Sequence, residues 1–181
     1  VFQDRFQSTF DNLKKNIRRG LHWVDLMVRL DGPVVSSVNA IFLADWYSET
    51  DEILEEGALV DLEDVRSGSG DLDCQVVPSG PGFEGENNLR LFLGLLYYAQ
   101  RTISIVSPYF VSEEGDQAVV YHAQRSYYEV LLKAGVRIWM YRKPYILHTK
   151  CFTIDDEVAV IGSSNMDMRS FGLNMEVSLM V

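Results

Sequence analysis

The 181-residue chain is short of cysteine, of histidine, of positive charge and of unbroken apolar runs, and each shortage removes a class of function. Only Cys74 and Cys151 are present, far apart and without metal-like spacing, so neither a disulfide framework nor a cysteine-based metal centre is expected. Thiols of this kind fit a reducing compartment. Sixteen Lys and Arg stand against 26 Asp and Glu, a net charge of −10. That balance argues against a nucleic acid bound over a wide face, which needs many cationic contacts, but it allows a small anion held in a pocket. The longest nearly apolar stretch, Val34 to Trp46, is interrupted by Ser36, Ser37, Asn39 and Asp45. It falls short of the roughly 18 to 20 residues a spanning helix requires, so no transmembrane segment or signal peptide is expected within the chain. The absence of an initial methionine and the end at Val181 inside an apolar run are what a fragment would show.

What is present is an ordinary globular composition, 47% apolar and 23% charged, long enough for one sizeable core or two small ones. His22 to Leu30 predicts a strand, and Asp31-Gly32-Pro33 turns it into a helix begun by Pro. Val34, Val35, Val38, Ile41, Phe42 and Trp46 give that helix an apolar stripe, expected to be core. Glu55 to Glu86 loses periodicity and gathers Gly, Ser, Asp and Pro, and is expected to connect two halves. Beyond it the pattern predicts helices at Asn88–Gln100 and Val119–Ala134 and strands at Thr102–Ser107, Val136–Tyr141, Leu147–Ile154, Val158–Gly162 and Met175–Val181. The expected fold is an α/β sandwich with a mixed sheet flanked by helices. One junction fits badly: Ile103 to Phe110 ends as a buried strand, yet Val111 to Asp116 continues like the end of another, without the dozen residues a parallel crossover needs. Residues are expected to be missing between Phe110 and Val111, and the confused pattern before Lys14 suggests the same there. The basic cluster Lys14-Lys15-Asn16-Ile17-Arg18-Arg19 is either a solvated turn or a contact to anionic headgroups.

The chemistry concentrates in His148-Thr149-Lys150, Asp155 and Gly162-Ser163-Ser164-Asn165. On a strand His148 and Lys150 share a face, with Phe152 and Ile154 behind them, while Asp155 has the opposite parity and opens a turn. Gly162 permits close backbone approach, and Ser163 and Asn165 again share a face. An imidazole titrates near neutrality and can attack phosphorus or move a proton to a leaving alkoxide. Lys150 and the Asn165 amide can stabilise charge on non-bridging phosphate oxygens without a metal or other cofactor. No metal-ligand spacing links His122, His148 and Cys151. Glu176 lies on an apolar strand, where an ionised carboxylate needs a partner. It is either an edge residue facing water or the acceptor that orients a histidine. Tyr109 and Phe110 are core aromatics by default, and His22 and His122 are expected to be structural.

The order His-x-Lys, four residues, Asp, six residues, Gly-Ser-x-Asn resembles the signature of the phospholipase D superfamily. The stretch from Leu147 to Val181 is similar to the second motif of bacterial cardiolipin synthases. RRGLHWVDLMVRLDGPVV, FLADWYSE, SPYF and HAQRSYYEVLLKAGVRIW extend the resemblance through most of the chain. It implies a phospholipase D-like fold with an incomplete first half plus linker in residues 1–85 and a second half in 86–181. It also implies a phosphatidyltransferase that condenses two phosphatidylglycerol molecules to cardiolipin and glycerol through a phosphatidyl-histidine. A hydrolytic phospholipase D or related phosphodiesterase is the alternative, and a non-catalytic half-domain for assembly or lipid docking is another of a different class.

In the catalytic set the resemblance places His148, Lys150 and Asp155, although the parity of Asp155 argues for an orienting or structural role. Ser163, Asn165 and Tyr109 fall to substrate binding, and Asn174-x-Glu176 favours the orienting role for Glu176. With two motifs the first histidine is usually the nucleophile, so His148 would be general acid and base. Only one motif is present here. The second is expected either from a missing part of the same chain or from a homodimer, and this chain alone should be inactive. Anionic phospholipid at the cytoplasmic face of a bacterial membrane is the implied partner, and nucleic acid is not expected.

Overall fold

In the computed structural model the described residues are 18, 20, 22–54, 72–83, 85–109, 117–142 and 144–181, with the side chains of 117–124 outside that description. The expected breaks near Phe110–Val111 and before Lys14, and most of the basic cluster, therefore lie outside the described residues.

The core is built on a five-stranded antiparallel sheet and one covering helix. Strand β1, His22–Val24, stands apart and is followed by helix α1, Val34–Thr50. Then come β2, Gln75–Ser79; α2, Asn87–Tyr98; β3, Ile103–Val106; and α3, Gln117–Lys133. The site-bearing segment follows as β4, Tyr145–Leu147; β5, Cys151–Ile154; β6, Val158–Gly162; α4, Met168–Gly172; and β7, Glu176–Met180. The sheet runs in the order β2-β7-β6-β5-β3, while β1 and β4 form a separate parallel pair. The arrangement is an α/β fold with a sheet flanked by helices, its parallel and antiparallel pairings kept in two sheets.

Alternation on β5 and β6 decides the core. Phe152 and Ile154 point to one face, Val160 stands opposite Phe152 in the register, and all three are buried. On α2, Asn88, Phe92 and Leu95 fall at helical spacing and are its buried residues, so this stripe closes over the sheet. Phe92 meets Phe152 edge-on at 5.4 Å and Phe171 at 5.8 Å. Burying one such aromatic side chain contributes on the order of 1.5–3 kcal/mol.

The β5–β6 hairpin turns through Asp155 and Asp156, both at positive φ (55° and 60°), and Glu157 N–H bonds the Ile154 carbonyl at 2.9 Å. Aspartate tolerates that left-handed conformation better than most residues, which is why an Asp-Asp pair can close this turn.

Five sequence expectations change. The strand expected over His22–Leu30 is only the three-residue β1, because its parallel partner β4 is itself three residues long. The strand expected over Leu147–Ile154 is two strands, because the chain passes from the parallel pair into the antiparallel sheet across residues 148–150. Val136–Tyr141 forms no strand: its apolar, β-branched pattern has no ladder partner among the described residues, and Trp139 is 87% exposed. The stretch read as a connection contains β2, which pairs with β7 from Gln75↔Met180 to Ser79↔Glu176. A division at residue 85 thus cuts through one sheet. The stripe on α1 is not buried core among the described residues, since that helix has no buried residue and Phe42 is 51% exposed.

Candidate active site

The segment 148–150 leaves one sheet and enters another, so its side chains are fixed by both. His148 donates its backbone N–H to the Val24 carbonyl at 2.7 Å, extending the β1–β4 pairing by one residue. That register brings the residue after β1, Asp25, against the imidazole: its carboxylate oxygens lie 3.1 and 3.3 Å from Nδ1. The Trp23 ring meets the imidazole edge-on at 4.9 Å and restricts its rotation. At the other end, the Gly162 N–H reaches the Lys150 carbonyl at 3.4 Å, where β6 meets the start of β5.

Lys150 folds back on His148. Its Nζ donates to the His148 carbonyl at 2.7 Å and lies 2.9 Å from Nε2 and 3.1 Å from Nδ1. A position nearly equidistant from both ring nitrogens is over the ring face rather than along either lone pair. The tautomer is therefore set by Asp25: the carboxylate only accepts, so Nδ1 carries the hydrogen and Nε2 presents its lone pair.

Burial, and then the Lys150 ammonium, push the His148 pKa below its usual 6.5, against the opposing pull of Asp25. Lys150 is itself lowered by burial, with Asp25, Glu176 and Asp167 acting the other way. The His148 side chain remains 31% exposed, open to a ligand. A water-sized hollow of about 10 Å³ lies below, lined by Lys150, Cys151, Phe152, Ser107, Ser164 and Met166.

Gly162 has a steric reason. A Cβ there would lie 2.3 Å from the Val177 carbonyl oxygen and 2.8 Å from Ser178 Cα, so β6 and β7 could not approach as they do. Ser163 extends this ladder, its N–H bonding the Val177 carbonyl and its Oγ accepting the Val177 N–H, both at 3.0 Å. The hydroxyl expected to bind substrate thus has its acceptor side taken by the backbone. Asn165 donates its N–H to Ser170 Oγ at 3.1 Å, and its buried Oδ1 has no hydrogen-bond partner among the described residues. A donor brought by a ligand would satisfy it. Tyr109 is half-buried just past β3; Ser107 donates to its carbonyl and accepts the Met166 N–H, tying both to one hydroxyl.

Two expected roles are corrected. Asp155 is not with His148 but at the far end of β5. There its carboxylate accepts N–H groups from Gln100, Arg101 and Thr102 at 2.6, 2.7 and 2.6 Å, clamping the loop that leads into β3. The Gln100 bond, then the Thr102 bond, hold its pKa below 3.8, against a contribution from burial in the other direction. Opposite parity on the strand is what sends it away. Glu176 does not orient His148 either; it is buried and accepts from Ser170 Oγ at 2.9 Å and Asn174 Nδ2 at 3.2 Å. The orienting carboxylate is Asp25. Its one sequence signal was an acidic residue inside the apolar run HWVDLMVRL, the same signal that marked Glu176.

Comparison with known proteins bears on the family. The family described as "Cardiolipin synthase, PLD-like domain" matches residues 111–181. The cardiolipin synthase of Alkalihalophilus pseudofirmus is 35% identical over 181 residues, aligned to 87% of this chain and 35% of its own length. Residues 111–181 match a domain of the phospholipase D superfamily.

Within that superfamily, the cardiolipin synthase of Geobacillus kaustophilus is 36% identical over 86% of this chain and 35% of its own length. Cardiolipin synthase A of Serratia proteamaculans is 33% identical over 88% and 37%. The chain thus spans a little over one third of the length of these relatives. Among solved structures, phosphatidylserine synthase from Haemophilus influenzae superposes with a TM-score of 0.46 at 16% identity, covering 59% of this chain and 34% of that one. The phospholipase D family member Nuc from Salmonella typhimurium gives 0.36 at 18%, covering 60% and 81%.

Proposed function

We propose that this chain supplies one half of a phosphatidyltransferase site that makes cardiolipin from two phosphatidylglycerol molecules. The observation that carries the proposal is the Asp25–His148–Lys150 arrangement, which engages Nδ1 with a carboxylate and leaves Nε2 as the proton-transfer nitrogen, 2.9 Å from a cation. The sequence similarity to cardiolipin synthases supports the choice of substrate.

Two steps follow. In the first, a histidine of a second His-x-Lys half, from the same polypeptide or another copy, attacks phosphorus. The phosphorus–oxygen bond to glycerol breaks, and the departing oxygen takes the Nε2 proton of His148 in its doubly protonated form, leaving the neutral ring with Nδ1–H on Asp25. In the second, a hydroxyl of another phosphatidylglycerol attacks the phosphatidyl-histidine, Nε2 of the now neutral His148 takes the proton of that hydroxyl, and the phosphorus–nitrogen bond breaks. Atoms and charge balance without an external reductant or oxidant. Lys150 stabilises the non-bridging oxygens as charge builds on them, a contribution that is largest in a water-poor site. We assign the Asn165 amide to assist, and Asp25 to fix the tautomer that leaves Nε2 for proton transfer.

Among the described residues no helix is long and apolar enough to cross a membrane. We place the site at the cytoplasmic face of the bacterial membrane, reached from the surface by its lipid substrate.

The test is turnover of phosphatidylglycerol labelled in both its phosphate and its headgroup glycerol by the full-length protein, with products separated by thin-layer chromatography. Cardiolipin with released glycerol supports the transferase. Phosphatidic acid would replace it with a hydrolase, water having taken the place of the acceptor hydroxyl. Liposome binding without turnover would make the chain a lipid-docking module.

A further inference from the structure

Away from His148, Asn88 in the first turn of α2 is 0% exposed, as are Ser170 and Ser178. A buried amide is costly unless its donors and acceptor are used, and here they are. Its Nδ2 donates to Ser79 Oγ on β2 and to Ser164 Oγ at 2.7 Å, with the Ser170 carbonyl at 3.4 Å; its Oδ1 accepts from Ser178 Oγ on β7 at 3.1 Å. The Ser170 carbonyl can only accept, which fixes which end of the amide faces it. Around the amide the network continues: Ser170 Oγ donates to Glu176 and accepts the Asn165 N–H. Ser79, Ser164, Ser170, Ser178 and Glu176 are each at most 8% exposed.

The bonds join the covering helix, the sheet edge, β7 and the loop 162–165 at a single side chain. A hydrophobic residue there would fill the space but could not set the direction of that loop. Helix packing is broad and tolerant, whereas hydrogen bonds to Ser164 and Ser170 fix position to within a fraction of an ångström.

We propose that Asn88 is a positioning residue for the phosphodiester site, holding the Ser164–Asn165 loop against β7 so that the Asn165 amide and Lys150 face the same phosphate. This rests on the proposed transferase. Asn88 touches no substrate; it acts through Ser164 and Ser170.

The two hydroxyls that share Nδ2 separate positioning from stability. Ser164 belongs to the loop that carries Asn165, and Ser79 belongs to an edge strand that carries no site group. In full-length protein, Asn88→Ala and Ser164→Ala should lower kcat roughly 10- to 100-fold with KM within about twofold, as a small misplacement of a reacting group does. Ser79→Ala should lower Tm and leave kcat in place. An Asn88→Ala, Ser164→Ala double variant should lose little beyond either single one. Equal falls in Tm for all three with kcat retained would overturn the proposal. If Asn88→Ala does not fold, the Ser164→Ala and Ser79→Ala pair decides alone.

Should the wild-type protein turn over no lipid, the transferase reading fails, and hydrogen exchange at the Asn165 N–H still scores the positioning role. Faster exchange in Ser164→Ala and not in Ser79→Ala supports it. The same rate in both, or no change in either, sinks it.

Discussion

Asp25 and His148 lie 123 positions apart in sequence and 3.1 Å apart in space. The pair exists because β1 and β4 run parallel in register, so that the residue after Val24 meets the residue after Leu147. It converts a histidine on a chain crossing into one with a fixed tautomer. Most of the expected behaviour of the site follows from that contact and from Lys150 on the other side of the ring.

Replacing His148 by Ala should reduce turnover by roughly 10²- to 10⁴-fold, the range for losing a general acid–base group. The fold should persist, because the ring is partly exposed and outside the buried cluster of Phe92, Leu95, Phe152, Ile154 and Val160. Circular dichroism and labelled-lipid turnover on the same preparation check both parts. Retained activity would remove His148 from the mechanism.

Asp25→Asn removes the influence that raises the His148 pKa. The imidazole, already below 6.5 through burial and then Lys150, should titrate at still lower pH. Turnover should fall, since the side chain can now donate to Nδ1 and stabilise the wrong tautomer. The alkaline limb of the pH–rate profile, set by loss of the proton that His148 gives to the departing glycerol, should move to lower pH. The His148 ring resonances followed by NMR report the same shift without turnover, and an upward movement would contradict the assigned geometry.

Lys150→Met has the opposite sign at the ring. With the neighbouring cation gone, the His148 pKa should rise above its present value, while turnover drops by roughly 10²- to 10³-fold through loss of transition-state stabilisation. A variant that loses activity without moving the histidine titration would place the ammonium elsewhere in solution.

Asp155→Asn should act on stability and spare the chemistry. Its folded pKa is depressed, so its contribution is fully present above the unfolded value near 3.8 and disappears as pH falls through the lower folded value. Wild type and variant should therefore differ in Tm at neutral pH by several degrees, on the scale of a lost helix cap, and converge in strong acid. Kinetics near those of wild type would confirm that this carboxylate anchors the Gln100–Thr102 loop; a selective loss of kcat at unchanged Tm would return it to the catalytic set.

Gly162→Ala forces a Cβ into the Val177 carbonyl, where the obstacle is backbone and cannot rotate away. A loss of about 1–3 kcal/mol is expected, measured by urea unfolding, together with reduced turnover because Ser163 and Asn165 follow directly.

Sequence alone determined the local chemistry. His148 and Lys150 meet because a single residue separates them, Gly162 must lack a side chain because two backbones meet there, and Phe152 and Ile154 are core because a strand repeats every two residues. Local periodicity carries such facts, since they depend on neighbours a few positions away. What it could not carry is which distant element arrives. Asp25 comes to the histidine through a parallel pairing, β2 joins the sheet from a stretch rich in turn residues, and Asn88 finds Ser164 and Ser178 by closing a helix over the strands. Glu176 and Asp25 look alike as acids in apolar runs, and only the packing gave one to Ser170 and the other to the imidazole. Hydrogen-bond partners more than a turn or hairpin apart are chosen by tertiary register, where a shift of one residue sends every side chain to the opposite face.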